Sequence, residues 1–291
     1  MAGRRVHAAA LSHATRYPPA WFVRYYQKSI VTEMPFARDT WRTPGPRTTE
    51  SGREAWFRDI VLAYRSLGTT SLDLGLPLEA VRGYFIAAAR AAFHFCGMKS
   101  EAFAPDDGLE AFFGFGIARD IASTKAFAET YASNVYEAGR NRVVAAATDL
   151  LVAHALGTSM SSAVAQLEKA RTPKAQPFLA PLRDLAIHVA TARKPAPLPL
   201  LQRLLTVTRS WRFDPVAIEA YACTRGLALA CIARDRGWRV PDEDPEPSLP
   251  LGLLRLPETT IDLSNRTYLP PPIEIKRRVA AARKAAIAYP R

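Results

Sequence analysis

The stretch REAWFRDIVLAYRSLGTTSLDLGLPLEAVRGYFIAAARAAFHFC, residues 53–96, decides the fold. Trp56, Ile60, Tyr64 and Leu67 recur at helical spacing, and so do Val81, Phe85, Ala88, Ala89 and Ala92. Residues three and four apart share one face of an α-helix, because 3.6 residues make a turn. Between the two runs, Leu74-Gly75-Leu76-Pro77-Leu78-Glu79 stops one helix and starts the next. Pro77 suits a first helical turn, where its missing N–H has no partner to lose. The stretch therefore predicts two helices, about Gly52 to Gly68 and Pro77 to Cys96, with Gly97 as the second stop.

The same grammar continues to about Arg239. Asp106 and Asp107 open a helix carrying Leu109, Phe112, Phe113, Phe115, Ile117 and Ile121. A long helix is expected from Asn134 to Leu156, ending at Gly157. Ser159 to Lys169, Gln176 to Arg193 and Leu200 to Trp211 follow, the last after a spacer with Pro195, Pro197 and Pro199. Asp214-Pro215 caps one more, running to Arg236 and closed by Gly237. Alternating patterns that would mark strands are nearly absent, apart from a short extended piece at Ile261 to Leu263. No fixed-period repeat is present. The expected fold is all-α: an irregular array of antiparallel helical hairpins, bundle-like or solenoid-like, spanning residues 53–256.

Two segments flank that body. Residues 1–52 read as an N-terminal arm, with a short aromatic helix from about Ala20 to Met34 and a Pro/Thr linker around Pro44-Gly45-Pro46. The first 32 residues lack Asp and Glu, as in an organellar leader, but Tyr17-Pro18-Pro19 interrupts any long amphipathic helix. Trp21, Phe22, Tyr25, Tyr26 and Ile30 suit a helix docked on the body better. Residues 257–291 read as a C-terminal extension in which Pro270-Pro271-Pro272 leads into a basic helix, Ile273 to Tyr289. The proline- and acid-rich stretch Pro241 to Pro257 reads as a loop.

At 291 residues and 48% hydrophobic content the chain can bury a sizeable core. No apolar run approaches the roughly 20 residues that span a bilayer. The three cysteines, Cys96, Cys223 and Cys231, form neither a metal clip nor a disulfide framework, so a reducing cytoplasm is the expected compartment. The net charge of +12 is uneven: +6 over residues 1–53, −3 over 54–160, +5 over 161–256 and +4 over 257–291. Such an excess steers acidic partners, and serves equally as plain solubility.

Chemical motifs are sparse in the sequence. Phe113-Gly114-Phe115-Gly116 lacks the preceding strand and third glycine of a dinucleotide loop, so close helix packing is the favoured reading. Asp106, Asp107 and Glu110 read as helix-dipole partners rather than paired catalytic acids. Asp184 and His188 sit at i,i+4 and suggest a side-chain hydrogen bond. His94, and His154 near Asp149, lack the companions that a metal would need. Ser159-Met160-Ser161-Ser162 reads as a helix start, not a nucleophile elbow. The expectation is a non-enzymatic protein with no cofactor. Two features remain as partner-binding candidates: Lys276, Arg277, Arg278, Arg283 and Lys284 on the C-terminal helix, and Asp242, Glu243 and Asp244 in the acidic loop. The basic helix lacks aromatic interleaving apart from Tyr289, which makes nucleic acid an unfavoured partner.

One resemblance adds a function. Ala220-Tyr221, Leu227-Ala228-Leu229-Ala230 and Ile232-Ala233-Arg234-Asp235-Arg236-Gly237-Trp238 are followed by Ser248-Leu249-Pro250 and Leu253-Leu254. With the hairpin of Arg53 to Phe95, this resembles helical immunity proteins of bacterial polymorphic-toxin systems, the immunity protein forty-nine family, over about residues 50–255. The resemblance implies stoichiometric binding of a cognate toxin, without catalysis. A basic chain would then suit an acidic toxin surface. An all-α scaffold for another protein partner is the alternative.

Overall fold

The architecture comes from a computed structural model, which describes residues 50–73, 77–99, 103–134, 141–210, 224–245, 249–266 and 268. Ten helices run through them: α1 (Glu50–Asp73), α2 (Leu78–Gly97), α3 (Pro105–Ala118), α4 (Ile121–Ala132), α5 (Arg142–Leu156), α6 (Ser161–Lys169), α7 (Leu179–Thr191), α8 (Leu198–Ser210), α9 (Thr224–Asp235) and the short α10 (Gly252–Arg255). Among the described residues there is no strand. The fold is all-α.

Sequential neighbours pack as hairpins: α1 on α2, α4 on α5, α5 on α6 and α7 on α8. A solenoid would stop there, with each unit touching only its neighbours. Instead α9 returns against α3 and α7, and α3 also meets α2, α4, α5 and α10. The array thereby closes into a bundle around α3. Every residue from Gly108 to Phe115 is buried, so this helix is enclosed on all sides rather than amphipathic. An aromatic cluster surrounds it, with Phe85 edge-on to Phe113 at 4.9 Å and Phe115 stacked on Phe127 at 5.0 Å.

Helix boundaries follow their caps. Asp107 accepts a hydrogen bond from the Ala104 backbone N–H at the start of α3, with Pro105 in the first turn. The expected single helix from Asp106 through Ile121 is in fact two. Arg119 takes a left-handed conformation (φ 61°), and Asp120 then caps α4 by accepting from the Ser123 N–H at 3.1 Å. The helix expected to begin at Asn134 is also corrected. Asn134 closes α4, donating to the Thr130 and Cys96 carbonyls, while Asn141 caps α5 through the Val143 N–H. Residues 135–140 lie outside the described residues. Gly157 (φ 66°) and Gly237 (φ 91°) end α5 and α9 as expected. At the end of α2 the left-handed residue is Lys99, not Gly97.

The C-terminal boundary also moves. Leu249, Leu251, Leu253 and Leu254 are buried, so the proline-rich segment contributes core as well as loop. Residues 257–266 and Tyr268, expected to begin a separate extension, pack into the same core through Ile261 and Tyr268. Thr259 donates to the Ala118 carbonyl at 2.8 Å, which satisfies an orphan acceptor at the end of α3. The N-terminal arm to residue 49 and the basic helix 273–289 lie outside the described residues.

At Gly114, α3 packs closely on α2. A Cβ there would run into the Phe85 carbonyl oxygen and come within 2.6 Å of Ala89 Cβ. Gly83, mid-helix on α2, has nothing within 4 Å of the same position. Gly83→Ala is therefore expected to stabilise by about 0.5–1 kcal/mol through helix propensity alone. Gly114→Ala is expected to cost about 1–3 kcal/mol by overpacking. Urea titrations of the two variants check both signs.

Candidate functional site

The acids at the start of α3 do more than cap. Glu110 is buried with only 4% of its side chain exposed, and it pairs with Arg65 of α1 and Arg225 of α9. Arg225 also reaches Asp106 at 3.0 Å, and Arg65 reaches Asp107 at 3.4 Å. Burial pushes the Asp107 carboxyl above its ordinary value, against the pull of Arg65. Three carboxylates and two guanidiniums thus join three helices in one network.

Other candidates from the sequence disperse. Asp184 binds Arg183 and Arg203, while His188 Nε2 accepts from the Ala196 N–H, so the expected Asp184–His188 hydrogen bond does not form. Gly116 lets α9 approach, since a Cβ there would come within 2.6 Å of the Cys231 sulfur. With Gly114 it is a packing glycine, as the sequence suggested. Burial pushes the Cys231 thiol up to about 12, which removes it as a nucleophile. In the acidic loop, Asp242 and Glu243 face solvent, and Asp242 lies 3.8 Å from Arg239. Asp244 turns inward, accepting from the Gly252 N–H at 2.9 Å and pairing with Arg255. It anchors the start of α10. Lys276, Arg277, Arg278, Arg283 and Lys284 lie outside the described residues.

The structure instead gathers a site that no local motif announces. His154, in the last turn of α5, meets Asp235 at the end of α9 (Nε2 to Oδ2, 3.2 Å). Arg234 grips the other carboxylate oxygen through Nε at 2.9 Å and Nη2 at 2.8 Å. Its Nη1 donates to the Gly116 carbonyl at 3.0 Å, capping α3. Burial alone would raise the Asp235 carboxyl, but His154 and Arg234 hold it below its ordinary value. These groups line one side of a pocket of about 400 Å³ whose floor includes Phe112, Phe115 and Leu151. Arg119 and Glu258 stand on its rim, as does Ile121, which is 80% exposed. Among the described residues only Leu62 joins it as an exposed large hydrophobic.

Sequence reading could not assemble this pocket, because Ile121, His154 and Asp235 come from three helices. The signal that was available lay in Asp120, a cap residue that splits the apolar run before Ile121. Among the described residues no group of three His, Cys, Asp or Glu side chains is placed to hold a metal ion, and no helix is long and apolar enough to cross a membrane. No family model, curated protein or solved structure matches the chain.

His94 is a half-buried titratable group whose surroundings disfavour its charged form. Its Nε2 is buried without a hydrogen-bond partner, and the ring lies 5.5 Å from Phe57. Burial, then Arg266 and Arg90, push its pKa down to about 4, opposed by a hydrogen bond with the Asn265 backbone. The folded state therefore prefers the neutral ring. The stability that this preference contributes is complete above pH 6.5 and is lost as pH falls through about 4. His94→Gln removes that titration. The difference in urea midpoint between wild type and variant is expected to shrink in favour of the variant between pH 6.5 and 4, while carboxylate effects common to both cancel.

Proposed function

We propose that this chain is a non-catalytic binding protein that docks its partner on the Ile121 rim. On the resemblance of residues 50–255 to helical immunity proteins, the partner is a cognate bacterial toxin. The observation that carries the binding reading is Ile121 itself: an isoleucine 80% exposed beside an apolar-floored pocket edged by charged residues. Energetic centres of protein interfaces have this anatomy, with an aliphatic or aromatic anchor, an adjoining pocket and a polar rim. Arg234 and His154 are tied to Asp235, so the rim is held in place before a partner arrives. Preorganisation of this kind lowers the entropic cost of association.

Charge supports an acidic partner surface. The chain carries +12 overall, although part of the basic excess serves the fold. Arg65 and Arg225 neutralise buried acids, and Arg236 donates to the Val189 and Ala190 carbonyls near the end of α7. Arg119 and Lys125 remain exposed near Ile121 and steer association by long-range attraction.

Co-expression with the neighbouring open reading frame tests the reading. Toxicity of that frame, rescue by this chain and a one-to-one complex are the expected results. Rescue should fail with Ile121→Asp, which is expected to weaken the complex at least about 30-fold, as for a hot-spot residue worth 2 kcal/mol or more. Its melting temperature should match wild type, because Ile121 contributes almost no buried area. A neighbouring product without toxicity would overturn the toxin partner and leave a scaffold role. A complex indifferent to Ile121→Asp would overturn the docking surface.

A further inference from the structure

α4 keeps one face clear of the bundle. Ile121, Ala122, Lys125, Glu129, Ala132 and, one residue past its end, Ser133 are exposed, while Ser123, Phe127, Ala128 and Tyr131 are buried on the other side. At 3.6 residues per turn the six exposed positions fall within an arc of about 120°. Ile121, 80% exposed, is the large apolar member. The charged members are opposite in sign and one turn apart, with Lys125 Nζ 3.9 Å from Glu129 Oε1. This face is neutral as a whole, on a chain that carries +12.

These residues are arranged symmetrically about position 127. Lys125 and Glu129 stand two residues to either side of it, and Ala122 and Ala132 stand five. A second copy of the helix, laid antiparallel on this face by a two-fold axis at that level, sets Lys125 level with Glu129 of the second copy and Glu129 level with its Lys125. Isologous contacts require such self-complementarity. Parallel packing would instead set like charges side by side. The alanines meet at both ends of the contact, Ala122 of each copy level with Ala132 of the other, and small side chains let two helix axes approach to about 8 Å. Ile121 then lies across the last turn of the second copy's helix, at the level of Ala132 and Ser133.

We propose that the free chain forms a weak two-fold dimer by antiparallel packing of α4 on α4 of a second copy, which covers Ile121 at each end of the contact. A contact limited to 12 residues, about 18 Å of helix, stays below the roughly 1,200 Å² that standard interfaces bury, so the dimer is reversible, with a dissociation constant on the order of 0.1 mM. At the low micromolar concentrations of a melting experiment the chain is monomeric. The dimer requires nothing of the partner proposed above. A partner that binds the Ile121 rim more tightly displaces the second copy.

Sedimentation equilibrium of the full chain alone, from about 5 µM to about 1 mM, tests the dimer, and a rise from monomer towards dimer mass is expected. Lys125→Glu sets four acids across the two-fold axis, and Glu129→Lys sets four bases. Each change counts twice in the dimer, so either variant alone should associate about tenfold or more weakly. In an equimolar mixture of the two variants every acid faces a base, and the mixture should dimerise about as well as wild type. Ile121→Asp should also weaken association about tenfold or more. All three positions are solvent-exposed, and unchanged melting temperatures verify that the variants fold. A chain that stays monomeric up to about 1 mM overturns the dimer and leaves the α4 face to the partner alone. A dimer indifferent to the single charge variants, or variants whose mixture fails to associate, overturns it equally. Neither failure bears on rescue in cells, which reports on the toxin partner.

Discussion

The whole bundle depends on enclosing α3. A helix buried on every face must let neighbours approach on every face, and it must leave no polar group without a partner. Gly114 and Gly116 meet the first demand, admitting the α2 backbone on one side and Cys231 of α9 on another. Glu110 is the test of the second. A carboxylate in that position is tolerable only because Arg65 and Arg225 reach it from α1 and α9. Losing one partner of a buried ion pair typically costs about 3–5 kcal/mol, whereas the intact network adds little net stability over an apolar substitute. Its effect is on arrangement: Arg65 of α1 and Arg225 of α9 are both registered against the Glu110 side chain.

A second carboxylate does comparable work at the far end of α3. Asp120 caps α4 through Ser123 and accepts the Ile261 N–H at 2.7 Å. Burial would raise its carboxyl, but the backbone donors of Ile261 and Ser123 hold it below the ordinary range. One side chain therefore fixes a local helix start and pins the segment that follows α10. With Thr259 capping the Ala118 carbonyl and Arg82 bonded to the Pro257 carbonyl, residues 257–261 close the bundle over α2 and α3. The acid that ends one helix and starts another is also the latch for the chain's return.

Much of this was legible beforehand, and the limits have physical causes. Apolar periodicity located α1 and α2, because an amphipathic helix writes its buried face into the spacing of its residues. The close-packing role of Gly114 and Gly116 was readable for the same reason: no competing motif used them. Periodicity misled at Ile117 and Ile121. They are four apart and so mimic one continuous face, while the decisive fact is the φ of Arg119, which spacing does not report. The loop expectation for residues 241–257 erred by composition. Prolines and acids mask Leu249, Leu251, Leu253 and Leu254, whose burial follows from tertiary contact and not from any local period. Sites built from distant residues were invisible, since His154 and Asp235 stand 81 positions apart.

The misread break is also what makes a surface. Had α3 continued past Ala118, Ile121 would have followed Ile117 onto the fully buried face, four residues on. The left-handed turn at Arg119 and the new cap at Asp120 redirect the chain, and the isoleucine emerges on the rim of the pocket between α3, α5 and α9. The helix ends meeting there need partners for their terminal carbonyls, and Arg234 supplies one by capping α3 through Gly116. That same guanidinium fixes Asp235, which fixes His154. A polar rim around an apolar floor thus arises from the ordinary requirement to finish helices. The exposed isoleucine does not, because nothing in the fold requires a large aliphatic side chain at the first residue of α4. Its exposure beside a cavity already shaped by capping interactions follows from the turn at Arg119 and not from core packing.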